Sequence, residues 1–266
     1  MSLKILTYNT LFGGLDGAGK TRAEKIVELI NERQPDIFLM QEAKAYDADG
    51  GGLLYALERN IGMRGFLAQA PHTGQNTAIF IRKPLRAKSF TPDAVHFHHA
   101  LARLVILLPD GKELTVMSAH LCPNGAIVRR REAAYLAPLA LPDKLVLVGG
   151  DFNSVSPHDR EPQDFGALPA QHRTRYLGED LQTIDRSVMA SLDAAGWIDV
   201  GHQLGGGGNP TVPTPAYKDT EFATMRCDYL LASKALAETA RHYEVIKTPL
   251  TDVASDHYPI FAEFEI

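Results

Sequence analysis

Cysteine is scarce in this chain, whose 266 residues hold only Cys122 and Cys227. Two cysteines exclude a disulfide framework, and neither sits in a paired-cysteine motif, so both read as small apolar filler. No apolar run reaches the ~20 residues needed to cross a bilayer. The first strand begins at Leu3 or Lys4, which leaves no room for a signal peptide, so the expected location is cytoplasmic. A basic excess is also missing: 27 Lys and Arg stand against 32 Asp and Glu, a net charge of −5 with a pI of about 6.1. That excludes a protein that coats duplex nucleic acid through bulk charge. It does not exclude a nuclease, because a bound metal ion cancels local acidic charge. Hydrophobic residues make up 45% of the chain, enough for a substantial core without staples. No linker divides it, and residues 1–266 read as one domain.

Hydrophobic periodicity predicts strands at 4–8, 37–40, 65–70, 77–81, 86–90, 102–108, 113–119, 145–148, 228–232, 243–246 and 258–264. Helical patterns cover 19–32, with Ile26, Val27, Leu29 and Ile30 on one face, then 53–60, 127–139 and 187–195. Pro35-Asp36 ends the first helix, and Asp110-Gly111 reads as a two-residue hairpin turn. Hairpins in succession mean antiparallel sheet, and helix–strand alternation at both ends means α/β crossovers. Layer rules then favour two packed sheets flanked by helices. No internal repeat is strong enough to assign, although two similar halves fit the pattern.

Polar residues recur at predicted strand ends: Asn9 after Ile5-Leu6-Thr7-Tyr8, Glu42 after Ile37–Gln41, His120 after Val116-Met117-Ser118-Ala119, and Asp151 and Asn153 after Val148-Gly149-Gly150. Asp228 opens a strand, and Asp256-His257 precedes one. Strand ends are rigid platforms that hold side chains to the tolerance chemistry needs. Each feature alone has an ordinary structural explanation, such as an Asx-turn after a strand. The ordered series, and above all Gly149-Gly150-Asp151-Phe152-Asn153-Ser154 and Ser255-Asp256-His257, resembles the endonuclease/exonuclease/phosphatase superfamily from Ile5 to Ile260. That resemblance implies a four-layer αββα sandwich of two mixed, mainly antiparallel β-sheets with the site at one end.

It also implies metal-dependent phosphoester hydrolysis. Asn9, Glu42 and Asp256 would hold Mg²⁺, with Mn²⁺ as a substitute, because Mg²⁺ takes hard oxygen ligands and few protein carboxylates. Asp151 would orient or deprotonate the attacking water, with Asn153 beside it. Asp228 would orient His257 and keep it charged, and His120 would contact the scissile phosphate or protonate the leaving oxygen. The paired glycines before Asp151 suit close backbone approach near a ligand. A zinc site needs a tighter grouping. His96, His98 and His99 form the cluster to consider, and a polar strand edge or loop explains them more simply. Substrate contacts are expected from Asn76, Asn124, Arg173, Arg175 and Tyr176, since long loops in compact domains are often functional and interleaved Arg, His and Tyr suit phosphate and base. Arg129–Arg131 read as a solvated run, and the Pro-rich stretch 210–215 resembles a segment shaping the substrate mouth. The expected substrate is a phosphodiester of a nucleic acid or nucleotide-like molecule. The alternatives are a lipid-headgroup or inositol phosphate and, from another class, an inactive binding protein. No protein partner is identifiable.

Overall fold

The computed structural model describes residues 1–17, 21–218 and 221–266. The β-strands are β1 (Ser2–Asn9), β2 (Ile37–Gln41), β3 (Arg64–Ala68), β4 (Thr77–Ile81), β5 (Arg86–Phe90), β6 (Ala102–Leu107), β7 (Glu113–His120), β8 (Leu145–Asp151), β9 (Ile198–Asp199), β10 (Asp228–Ala232), β11 (Ala240–Val245) and β12 (Ile260–Glu265). The helices are α1 (Thr21–Arg33), α2 (Gly52–Ile61), α3 (Ala126–Leu136), α4 (Ala170–Arg173), α5 (Ser187–Ala194), α6 (Val200–Gln203), α7 (Lys234–Ala237) and α8 (Thr251–Ala254).

Alternating burial drives the layering. Leu3, Ile5, Leu39 and Ile79 of the first sheet interdigitate with Leu104, Val116, Leu147 and Leu230 of the second. Ile26, Leu29 and Ile30 of α1, with Leu57 of α2, cover Leu6, Phe38 and Phe80 on the outer face of the first sheet. Leu136 of α3 and Leu192 of α5 cover Val148 and Tyr229 on the outer face of the second. The result is helix, sheet, sheet, helix, as expected. Each sheet is antiparallel apart from one central parallel pair, β1 with β2 and β7 with β8.

The strand orders are β11-β12-β1-β2-β4-β3 and β5-β6-β7-β8-β10-β9. These are the same pattern twice, so β1 matches β7, β2 matches β8, β4 matches β10 and β12 matches β6. The two similar halves are real in topology. The match pairs Asn9 with His120 and Gln41 with Asp151 at strand ends, and Thr77 with Asp228 at strand starts. His99 stands three residues before β6 as His257 stands three before β12.

Several local expectations are corrected. The predicted start of the first helix at Gly19 lies outside the described residues. The last strand starts at Ile260 rather than 258, because Pro259 has no N–H to give a ladder. The β6–β7 connection is 108–112, closed by Leu108 N–H to the Lys112 carbonyl, rather than two residues long. β9 and the short helices α4, α6, α7 and α8 were not expected, being too short to show a period. Both cysteines are free and buried. No helix among the described residues is long and apolar enough to cross a membrane.

Candidate active site

The carboxyl ends of the parallel pairs and the amino ends of β10 and β12 meet at one edge of the sandwich. A pocket of about 140 Å³ opens there, lined by Glu42, Gln75, His99, His120, Asp151, Asn153, Asp256 and His257, with Leu11, Phe12, Pro123, Arg175, Glu221 and Phe222 around them.

His257 is fully buried, and its Nδ1 lies 2.8 Å from Asp228 Oδ2. Its Nε2 faces the pocket, 3.6 Å from Asp151 Oδ2. Burial disfavours the charged ring, but Asp228 and then Asp151 outweigh it and hold His257 well above the usual histidine range. The Nδ1 contact to a carboxylate fixes the tautomer and aims Nε2. Thr211 Oγ1 accepts from the backbone N–H groups of Cys227 and Asp228, and its carbonyl accepts from Tyr258 N–H. The Pro-rich stretch thus ties the two members of the dyad together.

Asp151 is buried at the end of β8. One oxygen closes an Asx-turn by accepting from Asn153 N–H at 2.8 Å, and the other accepts from Asn9 Nδ2 at 3.1 Å and lies 3.4 Å from His120 Nε2. One oxygen thus closes the turn, and the other is turned toward Asn9 and His120. Burial pushes Asp151 up to about 7, against the lowering effect of His257. Asn153 lines the pocket and donates Nδ2 to the Leu121 carbonyl at 3.0 Å. The glycines before Asp151 serve the sheets rather than a ligand. A Cβ on Gly150, whose φ is 145°, would stand 1.8 Å from the Ala119 carbonyl oxygen, and one on Gly149 would meet Leu230 and Leu39.

Glu42 sits in a left-handed backbone conformation, φ 57°, as do Leu11, Phe12 and Asn153 in the same pocket. Such outliers gather where a site over-determines the backbone. Phe12 N–H donates to Glu42 Oε2 at 2.9 Å. Burial raises the Glu42 carboxyl, and the charge of Asp256 raises it further; burial also raises Asp256. A half-buried carboxylate, Glu42, and a buried one, Asp256, on one wall, with no Lys or Arg among their hydrogen-bond or ion-pair partners in the described residues, form a donor set suited to a hard divalent cation. Asn9 departs from its expected place. It turns its amide nitrogen toward Glu42 Oε1 (3.3 Å) and Asp151, while its oxygen accepts from Leu11 N–H. In this orientation it is a donor bridging the acids, and ligation through its oxygen needs the amide turned over. Asp151, Cys227 and His257 also bring ligand atoms within 4.8 Å of one another. Asp228 already takes His257 Nδ1, and burial holds the Cys227 thiol well above its ordinary range. That trio is a hydrogen-bonded network rather than an open cradle.

His120 is buried, stacked on His99 with ring centroids 4.3 Å apart, and its Nδ1 has no partner among the described residues. Burial, with the neighbouring His99 and His257, keeps it well below the usual histidine range.

The expected substrate residues fare unequally. Arg175 lines the pocket, ion-pairs with Glu221 and donates Nε to the Pro123 carbonyl. Arg173 stands outside the pocket and donates to the Gly166 carbonyl. Asn124 is exposed and does not line the pocket. Tyr176 is 2% exposed and packs with Phe165 and Met225 in a small core of its own, so it contacts no substrate from there. Asn76 is buried and structural, accepting from Ala70 N–H and donating to the Ala43 carbonyl and Asp47. Arg129 is likewise not a solvated residue; it is buried and donates to Ser154 Oγ, the Cys122 carbonyl and the Arg175 carbonyl. Sequence reasoning missed Phe12, Gln75, Glu221 and Phe222, which lie on connections without period, and Gln41, whose amide donates to Thr7 on the neighbouring strand and across to Ser118 on the other sheet. Position was the available signal for Gln41 and His99, since each matches an assigned residue of the other half.

The same fold recurs in known proteins. The model of the Endonuclease/Exonuclease/phosphatase family matches residues 6–257. Among solved structures, an AP endonuclease from Archaeoglobus fulgidus superposes with a TM-score of 0.73 at 20% identity, covering 99% of this chain and 100% of that one. A humanized TDP2 from D. rerio gives 0.69 at 20% identity, covering 100% and 99%. A mannosyl-6-phosphatase from Bacteroides thetaiotaomicron gives 0.68 at 15% identity, covering 99% and 100%. Comparison with curated protein sequences gave no match. The chain belongs to the Endonuclease/Exonuclease/phosphatase family, whose members hydrolyse phosphoester bonds.

Proposed function

We propose that this protein is a Mg²⁺-dependent phosphodiesterase acting on a nucleic-acid or nucleotide-like phosphate. The observation that carries the reading is the Asp228–His257–Asp151 arrangement: a charged imidazole and a carboxylate face one phosphate-sized space. Asp151 Oδ2 takes a proton from the attacking water, and the short approach of Asn9 Nδ2 holds that oxygen in place. His257 Nε2 donates to a phosphoryl oxygen as negative charge grows there, the kind of preorganised stabilisation that dominates many active sites. A new P–O bond forms, the ester P–O bond breaks, and the departing alcohol oxygen takes up a proton from solvent, to which Asp151 returns the one it accepted. The products are an alcohol and a phosphomonoester. Glu42 and Asp256 would hold Mg²⁺, with Asn9 joining them if its amide turns over; when bound, the ion supplies a charge sink for the phosphoryl oxygens.

Phe12, 41% exposed with the Lys44 ammonium 4.6 Å from its ring centroid, and Phe222 flank the entrance. Flat rings beside a phosphate site suit a base or nucleoside, and a TDP2 structure from D. rerio holds a single-stranded DNA product. The test is a panel in Mg²⁺ of bis-p-nitrophenyl phosphate, p-nitrophenyl phosphate, single- and double-stranded DNA, RNA and sphingomyelin. Diesters should be cleaved faster than the monoester, and nucleic acids faster than sphingomyelin. Selective cleavage of the monoester or of sphingomyelin would overturn the substrate assignment.

A further inference from the structure

One wall of the pocket has no task in the chemistry above. Gln75, His99 and His120 line it, and Gln75 Oε1, His99 Nε2 and His120 Nδ1 are buried atoms with no hydrogen-bond partner among the described residues. Buried polar atoms without partners are uncommon and costly, so three on one wall point to a polar group that completes them. Both imidazoles belong to side chains about 5% exposed, and both are firmly placed. His99 Nδ1 meets Thr73 Oγ1 at 3.0 Å, and the His99 ring stacks on His120. Glu132 of α3, itself buried, accepts from His98 N–H and Cys122 N–H, and so fixes the residues next to each histidine.

The duplicated topology shows what this wall lacks. His257 has Asp228 at the start of β10 to hold it charged; the matching residue at the start of β4 is Thr77, whose hydroxyl donates to the Ala100 carbonyl. One half therefore presents a charged imidazole and the other a neutral one. Neutral imidazole and amide groups are poor partners for a phosphate dianion and good ones for a hydroxyl, which both donates and accepts. His120 Nε2 faces the Asp151 carboxylate, which leaves Nδ1 as the lone-pair side.

Resting on the phosphoester reading, we propose that Gln75, His99 and His120 form a subsite for a hydroxyl group on the alcohol part of the substrate. The preferred substrate is then a phosphoester of a polyol. Its hydroxyl comes either from a ribose, as in RNA, or from a non-nucleotide polyol.

Two matched pairs separate these sources: a ribo- and a 2′-deoxyribo-dinucleotide of the same bases, and glycerol 2-phosphate with isopropyl phosphate. Within the right pair, kcat/KM should favour the hydroxylated member by about 10- to 100-fold, the range for leaving a buried polar group unpaired. His99→Phe keeps a ring on His120 and removes both nitrogens, and Gln75→Leu removes the amide from a less buried position, so one can stand in if the other folds poorly. In either variant the ratio should fall toward one, whatever common change in rate accompanies it. Preference for the ribodinucleotide assigns the site to RNA-like substrates, and preference for glycerol 2-phosphate assigns it to other polyols. Ratios near one for both pairs in the wild-type protein, while bis-p-nitrophenyl phosphate is hydrolysed, would overturn the subsite and leave the phosphodiesterase reading standing. An unchanged ratio in both folded variants would overturn it equally. Failure to hydrolyse any ester would overturn both.

Discussion

Asp228 and His257 lie 2.8 Å apart and are nearly inaccessible, so neither can be altered without stranding the other. His257→Ala and Asp228→Asn should each lower kcat by roughly 10²–10³, the range for losing a preorganised donor. Because the pair acts as a unit, the double variant should be little worse than the worse single one. Additive losses in steady-state kinetics would give Asp228 a separate role. Asp151→Asn keeps shape and removes the proton acceptor, so it should lower kcat by about 10² or more with KM little changed.

His99 makes a prediction of a different kind. Burial, with His98 behind it, pushes its folded value down to about 3. The unfolded chain therefore binds a proton near pH 6.5 that the folded chain refuses, so this residue's contribution to stability falls as pH drops below 6.5. Between pH 7 and 5 the stability of His99→Phe relative to wild type should rise by about 2 kcal/mol, read from urea unfolding at the two pH values. A pH-independent difference would mean that His99 takes up its proton in the folded state. The assigned carboxylates and His257 were legible in sequence because strand ends mark them. Tyr176 was misplaced because an aromatic beside arginines looks the same whether it stacks on substrate or fills a satellite core.

At the scale of elements, the long strands were legible because each buries a face and shows its period, while β9, two residues long, has none. The paired glycines were noticed for the wrong reason, since sequence shows that a backbone must come close but not to what. Gly150→Ala must push the β7 backbone away and adopt an unfavourable φ, so it should cost about 3 kcal/mol or more. Gly149→Ala meets the side-chain ends of Leu230 and Leu39 rather than backbone, and these give way more readily than a carbonyl in the ladder, so it should cost less. Thermal unfolding of the two variants orders them. A Gly149→Ala protein melting below Gly150→Ala would contradict the packing account of β7 and β8.

Across the whole molecule, the duplicated sheet gives one entrance two unlike walls. The half built on β7, β8 and β10 supplies Asp151 and Asp228, the partner of His257. The half built on β1, β2 and β4 places Asn9, Gln41 and Thr77 at the matching positions and adds Glu42 just past β2. Sequence suggested two halves without proving them, because the resemblance lies in strand order and hydrogen bonding rather than in residue identity. The central claim is that Glu42 and its neighbours hold a divalent cation on which phosphoester hydrolysis depends. The direct measurement is the initial rate of bis-p-nitrophenyl phosphate hydrolysis against Mg²⁺ concentration, for the wild-type protein and Glu42→Gln, with an excess-chelator control. The account predicts a saturable Mg²⁺ requirement, loss of activity in chelator, and a requirement shifted to at least about tenfold higher Mg²⁺ in the variant, the scale of one lost charged ligand interaction. Full wild-type activity in excess chelator would contradict it.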